Sequence, residues 1–289
     1  MRAFPWFAIA ALLMAPVRSA HAQMFLEGSA GLTYDSNLPR AQNASDIKSD
    51  SALVVAASGG RAFEAGDNTS VALSADAKSV TWLHYPGLSH TDLGATLAWR
   101  SKFGLGLYAP WARLSASAAR MSFGDSLRNG WRYDAGLTAG KRLTPNWDVR
   151  ADIRYDKRSA DRALPVVPSF SGAVYDVHGW TASVASQLAL GERLQVSLAY
   201  ARRTGDITST AVHTQAIWNA STAWNKDRAL GGDGYRIHAR TQMLTLGASY
   251  ALGKDSSLNL EAERWLSRAN GGFDYYNSLV RAGVLVTFF

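Results

Sequence analysis

Cysteine is absent from the 289 residues, which excludes disulfides, thiolate catalysis and cysteine-ligated metals. Long apolar runs are missing too. The longest, Phe4 to Val17, is too short to span a hydrocarbon core of about 30 Å as a helix, which takes roughly 20 apolar residues. Two options survive: a soluble exported protein, or one that crosses a membrane with strands.

Export is written at the N-terminus. Arg2 supplies a positive start, Phe4 to Val17 an apolar stretch, and Ala20-His21-Ala22 the small-x-small form of a cleavage site. Residues 1–22 read as a cleavable signal peptide and residues 23–289 as one mature domain beginning at Gln23. Without Arg2 and Arg18 the 30 bases fall to 28 against 23 acids, a net charge of +5. In an exported chain this modest excess points to lipopolysaccharide phosphates or anionic solutes and away from nucleic acid.

From Gln23 onward the hydrophobic period is two. Turn formers recur at Gly66-Asp67-Asn68, Phe103-Gly104-Leu105-Gly106, Thr144-Pro145-Asn146, Gly191-Glu192 and Gly253-Lys254-Asp255-Ser256. Between them lie longer polar connections near 36–49, 86–90, 124–130, 160–175, 207–234 and 270–274. The strands fall at about 24–35, 50–64, 69–85, 91–103, 107–123, 131–143, 146–159, 176–190, 193–206, 235–252, 257–268 and 275–288. This predicts an all-β, antiparallel, up-and-down transmembrane barrel of twelve strands, with ten or fourteen as the alternatives, having short periplasmic turns and longer extracellular loops. A β-sandwich also alternates, but it requires no such alternation of short and long connections.

The seventh strand is the clearest. Trp147, Val149, Ala151, Ile153 and Tyr155 share one face, and Asp148, Arg150, Asp152, Arg154, Asp156 and Arg158 the other. An apolar lipid-facing stripe bounded by aromatics and backed by a wet lumen accounts for both. Strand six repeats the scheme with Arg132 and Asp134 inward, and strand nine with Arg193 and Arg203. Adding Arg113, Glu261, Glu263 and Arg281 completes the residues expected to line the lumen. Ten acids and ten bases face inward in all, so two interiors are open. One is narrow and cross-linked by Arg–carboxylate pairs; the other has an anion path along strands five to nine.

The final strand resembles the signal read by the outer-membrane barrel insertion machinery: a polar residue, glycine, a hydrophobic and a terminal aromatic at Arg281, Gly283, Val286 and Phe288. Phe289 lies one residue past the best register. The chain thus resembles Gram-negative, porin-like outer-membrane barrels, which implies that membrane as its location and the insertion machinery and outer-membrane lipids as its partners. Tyr34-Asp35-Ser36-Asn37, with Arg268-Ala269-Asn270 and Tyr276-Asn277-Ser278, also look like the barrels of surface lipoprotein assembly modifiers, but the tetratricopeptide repeats that precede those barrels are missing.

Catalytic signals are thin. Phe123-Gly124-Asp125-Ser126-Leu127 reproduces a GDSL-type esterase block, yet no Asp-x-x-His follows to supply orienter and base. The mature histidines, His84, His90, His178, His213 and His238, form no His-x-Ser block. Asp233 among Gly231, Gly232 and Gly234 is a bare hint of a calcium loop. No cofactor is implied. The connection 208–234, with His213, Trp218 and Trp224, exceeds the usual loop length. It either folds inward as a constriction, stays outside as a ligand surface, or is disordered. The reading is a monomeric, non-enzymatic barrel acting as a passive pore or export conduit for small polar or anionic solutes. A closed adhesion barrel and an outer-membrane lipid hydrolase are the rivals.

Overall fold

The computed structural model describes residues 22–163 and 170–288. The proposed signal peptide, apart from Ala22, lies outside them, as does Phe289. The strands run β1 (Ala22–Asp35), β2 (Asp50–Gly66), β3 (Thr69–Trp82), β4 (His90–Lys102), β5 (Trp111–Phe123), β6 (Gly130–Thr144), β7 (Trp147–Ala160), β8 (Val177–Leu190), β9 (Leu194–Ala211), β10 (Ala223–Lys226), β11 (Asp233–Ala251), β12 (Ser256–Ala269) and β13 (Asp274–Thr287). One helix, α1, spans Gln215–Ala220. Each barrel strand pairs antiparallel with both neighbours, β9 with β11 and β13 with β1, so twelve strands close into a ring. The short β10 pairs only the upper end of β11.

Closure satisfies every ladder donor and acceptor without water, which a lipid environment requires. Residues paired directly across an antiparallel ladder share a face, and the register sorts the side chains. Arg132, Asp134, Gly136 and Thr138 stand opposite Arg158, Asp156, Arg154 and Asp152, while Leu137 stands opposite Ile153 and Ala135 opposite Tyr155. The second set faces out. Leu32, Leu97, Leu137, Ile153, Val184 and Leu246 are all large, apolar and exposed, an inside-out pattern that a hydrocarbon solvent explains. Aromatics collect at the upper edge of this belt, where Tyr155 and Trp180 lie 5.0 Å apart and Trp131 and Tyr133 6.3 Å apart; at the lower edge Trp147 donates to Ser186 Oγ at 2.7 Å.

The expected strands hold to within a few residues except at three places. β5 starts at Trp111, not 107, because Gly104 and Gly106 take left-handed φ values of 116° and 88°. The wider turn closes where Phe103 N–H donates to the Pro110 carbonyl. β3 stops at Trp82, ahead of a 3-10 turn at Pro86–Leu88. β9 runs on to Ala211, because the ladder with β11 continues to the pair Ala211 and Asp233. The alternation of short and long connections is also looser than expected. The upper connection between Ala269 and Asp274 holds four residues, no more than the lower turn between Ala251 and Ser256.

At the β1–β13 seam Gly31 stands opposite Gly283. A Cβ on Gly31 would lie 2.4 Å from the Ala282 carbonyl oxygen and 2.8 Å from Gly283 Cα, so this contact is made of backbone that cannot yield. Gly31→Val is expected to destabilise the refolded barrel by on the order of 2 kcal/mol, measured by urea unfolding in detergent micelles, whereas Ala30→Val on the lipid face is neutral. Equal stability of the two variants would contradict this account of the seam.

Candidate functional site: the lumen and its lid

β7 decides how the lumen's charges are used. Its three acids turn sideways: Asp148 meets Arg142 Nε at 3.1 Å, Asp152 accepts from Thr138 Oγ1 at 2.8 Å, and Asp156 is held by Arg203 at 2.8 Å. Its arginines are left over. Among the described residues no carboxylate lies within 4 Å of Arg150, Arg154 or Arg158, and Arg150 and Arg154 are exposed to the lumen. Arg113 and Arg100 stand opposite one another on β5 and β4, likewise exposed and without an acid.

Across the ring, on β12 and β13, Arg281 bridges Glu261 and Glu263, the latter at 3.0 Å. Beside β7 itself, on β6, Arg132 joins Asp134 at 3.2 Å and Asp92 at 3.5 Å. The lumen thus holds both cross-linked Arg–carboxylate groups and arginines without an acid partner. Arg193 sits in the turn before β9 and not in the strand, at the lower rim. Arg142 belongs to the lumen face and was absent from the expected set; it occupies the alternate position after Gly140 on β6, within the same period-two stripe.

At the extracellular end the interior changes character. Ile207, Ile237, Ala239, Ala269 and Tyr275 form a buried apolar cluster, and Leu127, Val174, Tyr175 and Ala223 a second. Here the segment 212–232 folds over the mouth as a lid. It touches each of the other five upper connections. Lys48 donates to the Leu230 carbonyl, Trp224 N–H to the Ser171 carbonyl at 2.9 Å, Arg128 to Asp227 at 2.5 Å, Ala229 packs on Gly87, and Ala220 packs on Gly271. The long connection is thus an ordered cap and not a free surface loop. The connection 36–49 reinforces it, with the Pro39 carbonyl accepting from Thr210 N–H at 2.8 Å.

Asp227 is the hub of the lid. Its carboxylate is fully buried and accepts from the Arg128 guanidinium, Thr210 Oγ1 at 2.5 Å, and the N–H groups of Ala229 and Leu230 at 3.1 and 3.3 Å. Burial by itself would raise its pKa, but Arg128 and these donors outweigh burial and hold it below the usual carboxylate range. Sequence periodicity gives no signal for such loop residues; only the turn composition around Gly231 and Gly232 hinted at order. Beneath the lid lies a chamber of about 430 Å³ lined by Arg40, Arg128, Arg158, Arg203, Asp35 and Asp156 among others. Burial, with Arg203 and Arg128 near, drives the Arg40 guanidinium below its ordinary pKa. A second cavity of about 290 Å³ lies lower, beside Arg100, Arg142, Asp148 and Arg150.

The remaining candidates resolve differently. Ser126 stands exposed in a 3-10 turn whose N-cap, Asp125, accepts from Leu127 N–H, so the esterase-like block is a turn. Asp233 is taken by Lys226 at 2.5 Å. His84 meets Asp50 at 2.8 Å, His90 the Leu88 carbonyl at 2.9 Å, and His213 the Tyr235 hydroxyl at 3.0 Å. On the outer surface His178 and His238 flank Asp206, at 3.2 and 3.6 Å, and His238 Nε2 lies 3.4 Å from Thr204 Oγ1. Sequence spacing could not reveal this group, because it draws on three strands, β8, β9 and β11, whose relative register alternation leaves unset.

Architecture and face polarity together define a closed twelve-stranded transmembrane β-barrel of the outer-membrane type. Solved structures share this fold. The outer membrane channel from Pseudomonas putida F1 superposes over 94% of this chain and 97% of its own at a TM-score of 0.57 and 10% identity. The NanC porin aligns over 90% and 98% at 0.47 and 13%, and the outer membrane phospholipase A from Escherichia coli over 96% of each chain at 0.46 and 15%. No protein-family model matches the chain. No curated protein matches it either.

Because Asp227 carries a lowered folded-state pKa, its contribution to the lid is complete above the ordinary carboxylate value of about 3.9 and is lost as pH falls through the lowered value. Hydrogen exchange of segment 223–232, corrected for intrinsic rates, is expected to be constant from neutral pH down to about 5 and to accelerate below about 4. Asp227→Asn leaves Arg128 buried without its partner and is expected to accelerate that exchange at neutral pH by at least tenfold, a conservative share of the roughly 3 kcal/mol that breaking a buried pair costs.

Proposed function

We propose that the protein is a passive outer-membrane conduit for small anionic solutes, its lumen lined by Arg150 and Arg154 of β7, with Arg158 held above them by the Arg128 carbonyl, and its mouth governed by the lid. The observation that carries this reading is the division of labour on β7: Asp148, Asp152 and Asp156 are engaged by neighbouring strands, while Arg150, Arg154 and Arg158 keep no acid within 4 Å. Alternate arginines every four residues lie about 13 Å apart along a strand, a stepwise ladder on which an anion exchanges one guanidinium for the next. The exposed charges show a wetted wall, where binding is weak enough for release. The channel identity of the Pseudomonas putida neighbour accords with this reading. Export after cleavage at Ala22, and delivery to the insertion machinery through Arg281, Gly283, Val286 and Phe288, are part of the same proposal. Val286 and Phe288 stand on the lipid face of the strand that closes the ring, where they are accessible to that machinery before closure.

In planar bilayers across a KCl gradient, the protein is expected to conduct with a reversal potential favouring chloride. Arg150→Gln with Arg154→Gln should reduce that preference at least threefold without closing the channel. Cation preference, or absence of conductance even with Asp227→Asn, would sink the proposal.

One observation favours a second reading, lipid hydrolysis. Thr204, His238 and Asp206 present hydroxyl, imidazole and carboxylate in the order of a catalytic triad on the lipid face. Turnover of phospholipid or lipid A that disappears in Thr204→Ala would displace the pore reading; no turnover by the unmodified protein disposes of the triad.

A further inference from the structure

The exterior surface of β9, β11 and β12 carries a concentration of cations that the lumen's function does not use. Arg202 on β9, Arg240 on β11, and Arg264 and Arg268 on β12 are all exposed on the lipid side of the wall. Arg240 stands directly opposite Arg268, and Gln242 directly opposite Arg202, so three guanidiniums from three strands surround one depression of about 330 Å³, with Tyr276 and Asp274 at its edge. Asp274 is the one carboxylate of the group and meets Arg268 at 3.2 Å. Among the described residues Arg202 and Arg240 have no acid within 4 Å and no side-chain hydrogen bond.

Two physical costs need explaining. Like charges directly opposite on a ladder repel, and cations on the lipid face destabilise a barrel the more deeply they lie. Tyr276, half-exposed and with the Arg264 guanidinium 5.8 Å from its ring centre, marks this level as the headgroup interface, where such charges are tolerated. Below it the same strands present Leu244, Leu246 and Leu260, each more than half exposed, as a surface for acyl chains. A ligand that offers phosphates at the arginines and hydrocarbon at the leucines meets both demands, and guanidinium forks suit phosphate oxygens.

We infer that Arg202, Arg240 and Arg268 form a docking site for the phosphates of an outer-leaflet glycolipid of the lipid A type. The inference rests on the barrel's place in a membrane and not on the pore, so the two fail separately. An ion-pair network, Arg202 and Arg240 included, that merely rigidifies the wall would instead show a carboxylate beside each.

The full mature barrel in non-ionic detergent is titrated, by native mass spectrometry, with bisphosphorylated lipid A, with dephosphorylated lipid A and with inorganic phosphate. The bisphosphorylated lipid should bind at least tenfold more tightly than either of the others. Arg202→Gln with Arg240→Gln should lose about tenfold in affinity for it, with the thermal midpoint and single-channel conductance unchanged. Arg120→Gln, on the same outer surface but paired with Asp161 at 2.5 Å, should bind as the unmodified protein does. Equal binding of the dephosphorylated lipid overturns the proposal, as does an unaffected double variant or an equal loss in Arg120→Gln. Phosphate binding as tight as lipid would show a free-anion site and overturn the lipid assignment. Should the double variant fail to fold, Arg268→Gln is read in its place, and unchanged lipid affinity there overturns the inference equally.

Discussion

Everything in this molecule follows from the backbone's need to close on itself. Hydrocarbon offers no partner to an N–H or C=O group, so β13 must meet β1 as well as β12. The ladder that closes the ring brings Gly31 against Gly283 with no room for a side chain. Once the ring is closed, alternate residues have no choice of solvent: one set meets lipid, the other the lumen. The apolar residues that a soluble protein would bury are here the exposed ones.

Closure also removes the usual apolar core from the membrane-spanning part, and the interior is held by polar contacts. The walls solve that problem in two ways. Near β12 and β13, arginine and glutamate neutralise each other across strands. Around β7 the acids serve as anchors for neighbours and leave Arg150 and Arg154 without a carboxylate partner in an otherwise nearly balanced lumen. Balance in number is therefore not balance in field, because a paired charge offers little to a passing solute.

The lid adds the one region organised like a soluble protein, with apolar clusters and a buried carboxylate beneath loops. Asp227 is its most heavily bonded residue: its ion pair with Arg128 ties the lid to the connection between β5 and β6, while the N–H groups of Ala229 and Leu230 hold it within the lid. A lumen covered in this way can pass a solute only if the cover opens, and breaking the Asp227–Arg128 pair would free the lid from the connection between β5 and β6.

Much of this was legible in the residues. Period two, turn composition and the charged ladder of Asp148 to Arg158 determined the barrel and which face of each strand is wet, because alternation is a local consequence of pleating; of the counts left open, twelve, ten or fourteen, the ladders of the closed ring decided for twelve. The strand-borne residues expected to line the lumen shared one face for the same reason, but Arg193 falls in the turn before β9, and Arg142, inside the stretch 131–143 read as strand six, belongs to that face without having been among them. Three things required the tertiary structure. Which arginines stay free depends on partners such as Arg142, Thr138 and Arg203, which local alternation does not assign to particular acids. The lid depends on Arg128 meeting Asp227 across the mouth, a contact between loops that carry no periodic signal. The outer group of Arg202, Arg240 and Arg268 depends on the ladder register of the consecutive strands β9, β11 and β12, which alternation alone leaves unset.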